Sequence, residues 1–314
     1  MLDLKNKKIL VTGGSGFMGS HVLRTLEKRG VPNEHIFAPS SEECDLRKWD
    51  DCVNAVKGKE IVFDCAANPG DLLMRGKIPG ELFYENLMMG AQLLEAGRQA
   101  GVQKTITIGS ITEYPESAPV PFREDTLWNG LPVPTSIPYG LSKRIVALQG
   151  ELYRRQTGFN SIHVILTNSY GPGEKFSSGY MIPSLIQKIM NAKKRGEKEI
   201  EVWGTGQATR DLIYIEDATE GIMLAAELYD DGMPLNIGSG AGISIQDLVT
   251  LLCSIIGFEG TARWDTTKPE GELKRVLDVS RALDLIGFQT KTPLEEGLEK
   301  TVDWHIKQPS VTEV

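Results

Sequence analysis

The sequence predicts an α/β protein built on a doubly wound parallel sheet with helices on both faces. Three observations carry that expectation. Short apolar runs of strand type alternate with amphipathic runs of helical period, the alternation starts at the first strand, and a glycine-rich turn links that strand to its helix.

Lys8-Ile9-Leu10-Val11-Thr12 reads as a short buried strand running into Gly13-Gly14-Ser15-Gly16-Phe17-Met18-Gly19, and His21 to Arg29 follows as an amphipathic helix. Glycines at 13, 16 and 19 let the backbone turn tightly and approach a pyrophosphate, which a helix N-terminus stabilises. Ser15, Phe17 and Met18 belong to the same turn. The spacing is G-x-x-G-x-x-G, not the commoner G-x-G-x-x-G. Glycine turns also arise for structural reasons alone, but the position after the first strand favours a dinucleotide. A second strand, His35 to Ala38, ends in Pro39-Ser40-Ser41-Glu42-Glu43. There an acid would hold the ribose hydroxyls of NAD, or an arginine the extra phosphate of NADP. Ser40 and Ser41 stand at the tip, without a carboxylate to repel that phosphate. The choice between NAD and NADP stays open with a lean to NADP, and Asp45-Leu46 border the adenine.

Trp49 to Val56 is helical, and Glu60 to Ala67 is a buried strand with Ala66 and Ala67 at its C-terminal end, where open α/β sheets bind ligands. Asn86 to Ala100 forms a long amphipathic helix, and Lys104 to Ser110 a further strand. Ser110 stands at that strand's C-terminal edge, ahead of Thr112 and Tyr114. It serves either a site or its own turn. Ala118 to Pro138 reads as a long ordered surface loop near the site. The helix after Pro138 then sets Tyr139 and Lys143 four residues apart, on one face. A phenol of pKa about 10 is a poor base at neutral pH. A neighbouring ammonium lowers that value towards the range useful for proton transfer. An ordinary Tyr and Lys on a solvated helix face is the competing reading, to be weighed by the surrounding motifs.

Composition narrows the function. The chain has 314 residues, 40% of them apolar and 24% charged, with a net charge of −8. That charge argues against non-specific binding to nucleic acid or anionic membrane, yet is compatible with a small anion in a local basic pocket. The cysteines at 44, 52, 65 and 253 show no close pairing, so neither a disulfide framework nor a thiolate metal site is expected. His163 reads as a strand residue with a hydrogen-bond partner rather than a ligand. The N-terminus lacks a signal-peptide pattern, and no apolar run nears the roughly 18 residues of a bilayer span, so a cytoplasmic setting is expected.

Thr12-Gly13-x-x-Gly16-x-x-Gly19, Ser110, Tyr139-x-x-x-Lys143 and Thr167-Asn168-Ser169-Tyr170-Gly171-Pro172 together resemble the extended short-chain dehydrogenase/reductases that act on nucleotide sugars. Within them the chain is most similar to the GDP-L-fucose synthases. That likeness is carried by Pro134 to Gly140, Ile182 to Leu185, Val202 to Gly206, Arg210 to Asp217, and Trp264-Asp265 to Asp278. The resemblance implies a Rossmann-type dinucleotide domain over about 1–170, with a return segment near 208–240, and a smaller C-terminal α/β lobe over 171–314 for a nucleotide-diphosphate sugar, a GDP-sugar by the same likeness. Arg210 and Arg275 match pyrophosphate-binding arginines, Lys188 falls where a basic residue faces the nucleotide, and Trp203 matches the nucleotide pocket. Asn168 and the segment near Tyr180 belong with the sugar. Without the resemblance, Arg210 and Arg275 read as surface ion pairs. Helices 86–100 and 139–158 resemble the family's four-helix homodimer interface.

In the implied mechanism Ser110 hydrogen-bonds the sugar oxygen, Tyr139 exchanges its proton, and Lys143 tunes the phenol and holds the nicotinamide ribose. The departures matter too. Thr112 and Tyr180 stand where the family carries the Cys/His pair that inverts C3 and C5, so 3,5-epimerisation is not expected, although Asp71 or Glu113 are potential substitutes. The family's glycine-rich loop after the third main strand is changed to Asn68-Pro69-Gly70-Asp71-Leu72-Leu73. C4 reduction or dehydrogenation with exchangeable NAD(P)H is the first expectation. A 4-epimerase holding NAD tightly is the second, since the Ser-x-Thr at 110 and 112 resembles sugar 4-epimerases. A non-catalytic dinucleotide sensor ranks far behind, because such proteins typically lose the Tyr/Lys pair. The tail from Gln308 to Val314 is expected to be disordered.

Overall fold

The computed structural model describes residues 2–70, 72–176, 179–268 and 271–308. Asp71 and the tail residues 309–314 lie outside the described residues. The chain lays down β1 (Ile9–Thr12), β2 (Ile36–Phe37), β3 (Ile61–Asp64), β4 (Lys104–Ser110) and β5 (Ser161–Leu166) in succession. β6 (Asn168–Tyr170), β7 (Glu199–Trp203) and β8 (Thr209–Tyr214) belong to a smaller lobe, and β9 (Leu235–Ile237) returns to the first sheet. That sheet is parallel throughout, in the order β2-β1-β3-β4-β5-β9. The Rossmann-type α/β expectation holds.

Alternation along the strands builds two cores. Ile9 and Val11 of β1, with Ile61 and Phe63 of β3, face the layer of α1 (Phe17–Lys28). Leu10 and Val62 point the other way, against α2 (Trp49–Val56). Between β3 and β4 run α3 (Leu72–Lys77) and α4 (Pro79–Gln99), and α5 (Ser142–Thr157) precedes β5. Leu93 and Leu94 of α4 and Val146 of α5 complete the second core. Each such side chain, fully buried, contributes about 1.5–3 kcal/mol. After α6 (Met181–Arg195), α7 (Ile215–Leu228) packs beside α1, with Ile222 and Met223 in the first core.

The smaller lobe adds β10 (Gly242–Ser244), α8 (Ile245–Ile256), β11 (Thr261–Asp265), β12 (Lys274–Arg275), α9 (Ser280–Ile286) and α10 (Leu294–Lys307). Its strands form a β10-β8-β12 sheet joined by β6, and a β11-β7 pair. Ile186 and Ile189 of α6, Leu248 and Leu252 of α8, and Leu298 and Val302 of α10 make its core.

Three details differ from the sequence expectation. α1 starts at Phe17 rather than His21, directly behind the glycine turn, with Gly16 as its N-cap. The strand expected over 35–38 shrinks to two residues, because Asn33–His35 closes into a 3-10 turn just before it. The helix expected from Asn86 begins at Pro79, a residue whose fixed φ suits a first helical position. The 118–138 loop is clamped to the smaller lobe: Phe122 N donates to Val276 O (2.8 Å) and Asp278 N donates to Phe122 O (2.9 Å). No helix among the described residues is long and apolar enough to cross a membrane.

Candidate active site

β2 lies on one side of β1 and β3 on the other, so the strand order reverses at β1 and opens a crevice at the carboxyl ends. There a cleft of about 850 Å³ lies between the sheet edge and the smaller lobe. Thr12 locks its floor, donating from Oγ1 to Asp64 Oδ1 (2.8 Å) and accepting from Ala66 N (3.2 Å). In the glycine turn a side chain at Gly19 would run into the Gly13 carbonyl, and Gly13 itself sits at φ 63°. The backbone is thus bared at the first turn of α1, where amide N–H groups and the helix dipole favour an anion. This cradle, which a Cβ would fill, fits a dinucleotide pyrophosphate.

Tyr139 enters on a π-helical turn, Ile137–Leu141, that leads into α5. A side chain at Gly140 would strike the Thr112 carbonyl, so only glycine lets this turn close on the residues after β4. Tyr139, Lys143, Ser110 and Thr112 consequently line one cleft. Ser110 Oγ accepts from Thr112 N (3.3 Å) and from Thr112 Oγ1 (3.0 Å), while Ser110 N donates to Glu113 Oε1 (2.7 Å). Lys143 Nζ donates to Ala66 O (3.2 Å), which ties the ammonium to the end of β3.

The electrostatics differ from the sequence expectation. Desolvation pushes the Tyr139 phenol up from its ordinary value, the Glu113 carboxylate adds to the rise, and Arg75 opposes it. Glu113 does not face the cleft as a substitute base: it is fully buried, and its carboxylate is held by Ser110 N and His163 Nε2 (3.0 Å). His163 is the partnered strand histidine expected, its Nδ1 lying 2.7 Å from Thr107 Oγ1.

Of the other anticipated residues, Ser15, Gly16, Phe17, Met18 and Gly19 line the cleft, as do Ala67, Asn168, Tyr180 and Arg275. Gly13 and Ala66 lie just behind the wall, as the contacts above describe. Asn86 is buried and pins the strand exit, accepting from Asn68 N (2.9 Å) and donating to Asn68 O (2.7 Å). Ser40, Ser41, Asp45 and Leu46 are not on the cleft wall. The Ser40 tip does carry a carboxylate after all: Glu43 folds back and accepts from Ser40 N (2.8 Å) and Oγ (3.0 Å), which holds its carboxyl below the usual range. The premise for the NADP lean is thereby corrected.

The smaller lobe's cations are less ready. Lys188 Nζ donates to Glu201 O (2.6 Å), and Arg210 Nη1 donates to Thr209 O (2.9 Å) and Glu272 O (2.8 Å). Arg275, registered directly against Arg210, pairs with Glu272 and reaches Ser136 Oγ (3.3 Å). Trp203 is exposed beneath Lys268, away from the cleft wall.

Among the cleft residues that the sequence reading did not single out are Arg75 and Glu174. Arg75 lies over the Tyr139 ring, 6.0 Å from its centroid, from just beyond the 68–73 loop that the resemblance had singled out. Glu174 is a buried cleft carboxyl pushed up to about 8 by burial alone, and a single Glu after Gly173 carries no sequence signal.

Comparison with known proteins settles the family. The model for the NAD dependent epimerase/dehydratase family matches residues 9–238. The chain belongs to that family. It is 33% identical over 96% of its length, and 96% of the relative's, to a GDP-L-fucose synthase of Sinorhizobium fredii. Among solved structures it is similar to a GDP-6-OMe-4-keto-L-xylo-heptose reductase from C. jejuni (25% identity, TM-score 0.89, 97% of this chain and 99% of that one). A GDP-D-glycero-L-gluco-heptose synthase from Campylobacter jejuni in the presence of NADPH matches with 26% identity and a TM-score of 0.86, over 97% of this chain and 99% of that one. Extended short-chain dehydrogenase membership, expected from the motifs, is borne out.

Proposed function

We propose that this family member reduces the 4-keto group of a nucleotide-diphosphate sugar, a GDP-sugar by the names of its relatives, and does not invert C3 or C5. The observation that carries this is the convergence of Ser110, Tyr139 and Lys143 on the cleft that also receives the glycine turn. The turn 13–19 would hold the dinucleotide pyrophosphate and Lys143 the nicotinamide ribose; when bound, the cofactor supplies or accepts the hydride. Ser110 hydrogen-bonds the sugar oxygen, and Tyr139 donates its proton to that oxygen as C4 is reduced. We assign the cofactor to about 1–170 with the return segment 208–240, and the nucleotide sugar to 171–314.

Stoichiometric NADPH or NADH consumption with GDP-4-keto-6-deoxymannose tests the reading, and no consumption with either cofactor rejects it. Deuterium from solvent at C3 or C5 of the product would overturn the absence of epimerisation, for which Thr112 offers only a hydroxyl donated to Ser110. That Ser110–Thr112 hydroxyl pair favours a second reading, a 4-epimerase, which NAD surviving gel filtration in the purified protein would support. A homodimer through α4 and α5 is proposed from the resemblance, where Tyr84 and Leu152 are exposed; sedimentation as monomer alone rejects it.

A further inference from the structure

The segment after β3 departs from the family pattern, and it delivers a charge to the catalytic tyrosine. Arg75 Cζ lies 6.0 Å from the centroid of the Tyr139 ring, and Arg75 Nε is fixed by donation to Pro69 O at 2.9 Å. Both residues line the same cleft. Behind Ser110 lies the opposite charge, Glu113, fully buried and bonded to Ser110 N and His163.

We propose that Arg75 is a positioning residue for proton transfer at Tyr139: its guanidinium over the ring favours the tyrosinate and balances Glu113, which favours the phenol. The proposal rests on the reading of Tyr139 as the proton donor. A cation over an aromatic face is attracted to it, and more strongly once the ring carries negative charge. Among the described residues, the titratable and charged groups around the phenol are Glu113, buried in the turn after β4, Asp64 at the end of β3, Arg75 from α3, Tyr180 ahead of α6, and Lys143 of α5 on the shared cleft. Lys143 is held at Ala66 O, and Arg75 is the cation that lies over the ring. Were Arg75 merely an anchor for its own loop through Pro69, its charge would be immaterial to Tyr139.

The test reads the tyrosine directly. Tyrosinate absorbance is titrated in NADP⁺-loaded protein, taken as the difference from Tyr139→Phe in the same background, for the parent chain and for Arg75→Gln, Arg75→Lys and Glu113→Gln. Arg75→Gln should raise the Tyr139 midpoint by about one pH unit, a tenfold change in proton affinity. Arg75→Lys should restore most of the shift, and Glu113→Gln should lower the midpoint. An unchanged or lowered midpoint in Arg75→Gln overturns the proposal, as does Arg75→Lys behaving like Gln. If Glu113→Gln fails to fold, the two Arg75 variants decide alone. Because absorbance needs no turnover, a midpoint that moves as expected while no keto-sugar is reduced indicts the assigned reaction and not the charge on Tyr139.

Discussion

The cleft has two walls of opposite character. On the sheet wall, backbone geometry does the placing: β4 ends in Ser110, the turn before α5 presents Tyr139, and Lys143 is tied to Ala66 O. On the lobe wall Arg275 is held by the Glu272 carboxylate, and behind it, off the cleft lining, Lys188 is held by Glu201 O and Arg210 by Thr209 O and Glu272 O. A preorganised wall acts on the transition state without rearranging, whereas cations that must exchange partners act through binding. The sheet wall should therefore govern kcat and the lobe wall KM.

Tyr139→Phe puts the largest strain on that division. Loss of the proton donor should lower kcat by about 10²–10⁴-fold, with dinucleotide affinity in equilibrium titration little changed. Retained turnover would break the comparison at its strongest point. Arg275→Ala should raise KM for the nucleotide sugar by roughly 10–100-fold, the range of a charge-assisted hydrogen bond of about 1.5–3 kcal/mol, with kcat nearly intact. Arg210→Ala should act in the same sense. A fall in kcat without a change in KM would show that the lobe wall, too, is set for the transition state.

Glu174 sits where the walls meet and gives the next effect. Its carboxyl is pushed up to about 8 by burial, so the folded state holds its proton more tightly than the unfolded chain, whose glutamate titrates near 4.5. The resulting stability is fully present below about pH 4.5 and is lost as pH rises through about 8. Glu174→Gln, which never ionises, should match the parent's Tm near pH 4 and exceed it near pH 9, at roughly 2–4 °C for each kcal/mol. Equal Tm values at both pH values would show that the carboxyl finds a partner in solution.

The sheet wall was legible in sequence because its chemistry is local. Gly13, Gly16 and Gly19 act within one turn, and Tyr139 and Lys143 within one helical repeat. What stayed hidden depends on contacts across the chain. Arg75 reaches Tyr139 from 64 positions away, which no spacing rule encodes. Glu113 reads as a potential substitute base, yet it is buried, with His163, 50 residues on, bonded to its carboxylate. The lobe's Trp203 and Lys188 were expected from the resemblance alone, and where they sit depends on Lys268 over the indole and on the Glu201 backbone carbonyl that accepts from the ammonium. The Ser40 tip misled for a related reason: Glu43, three residues along, folds back onto it.

That tip, beyond the cleft wall at the end of β2, is where a fixed charge should have the smallest measurable effect. Glu43 is exposed, its carboxylate held at Ser40 N and Oγ. A 2′-phosphate arriving at the end of β2 would meet a like charge, weakened by solvent and by a Debye length of about 10 Å at 0.1 M salt. Glu43→Gln keeps an acceptor for Ser40 and removes the charge. It should lower KM for NADPH by only about two- to fivefold, leave KM for NADH unchanged, and lose its effect as salt screens the pair. Equal changes for both cofactors would mean that Glu43 shapes the loop and not the charge. No change for either would place the ribose beyond its reach, and cofactor choice would then lie with Ser41 and the Asp45–Arg47 pair that follows.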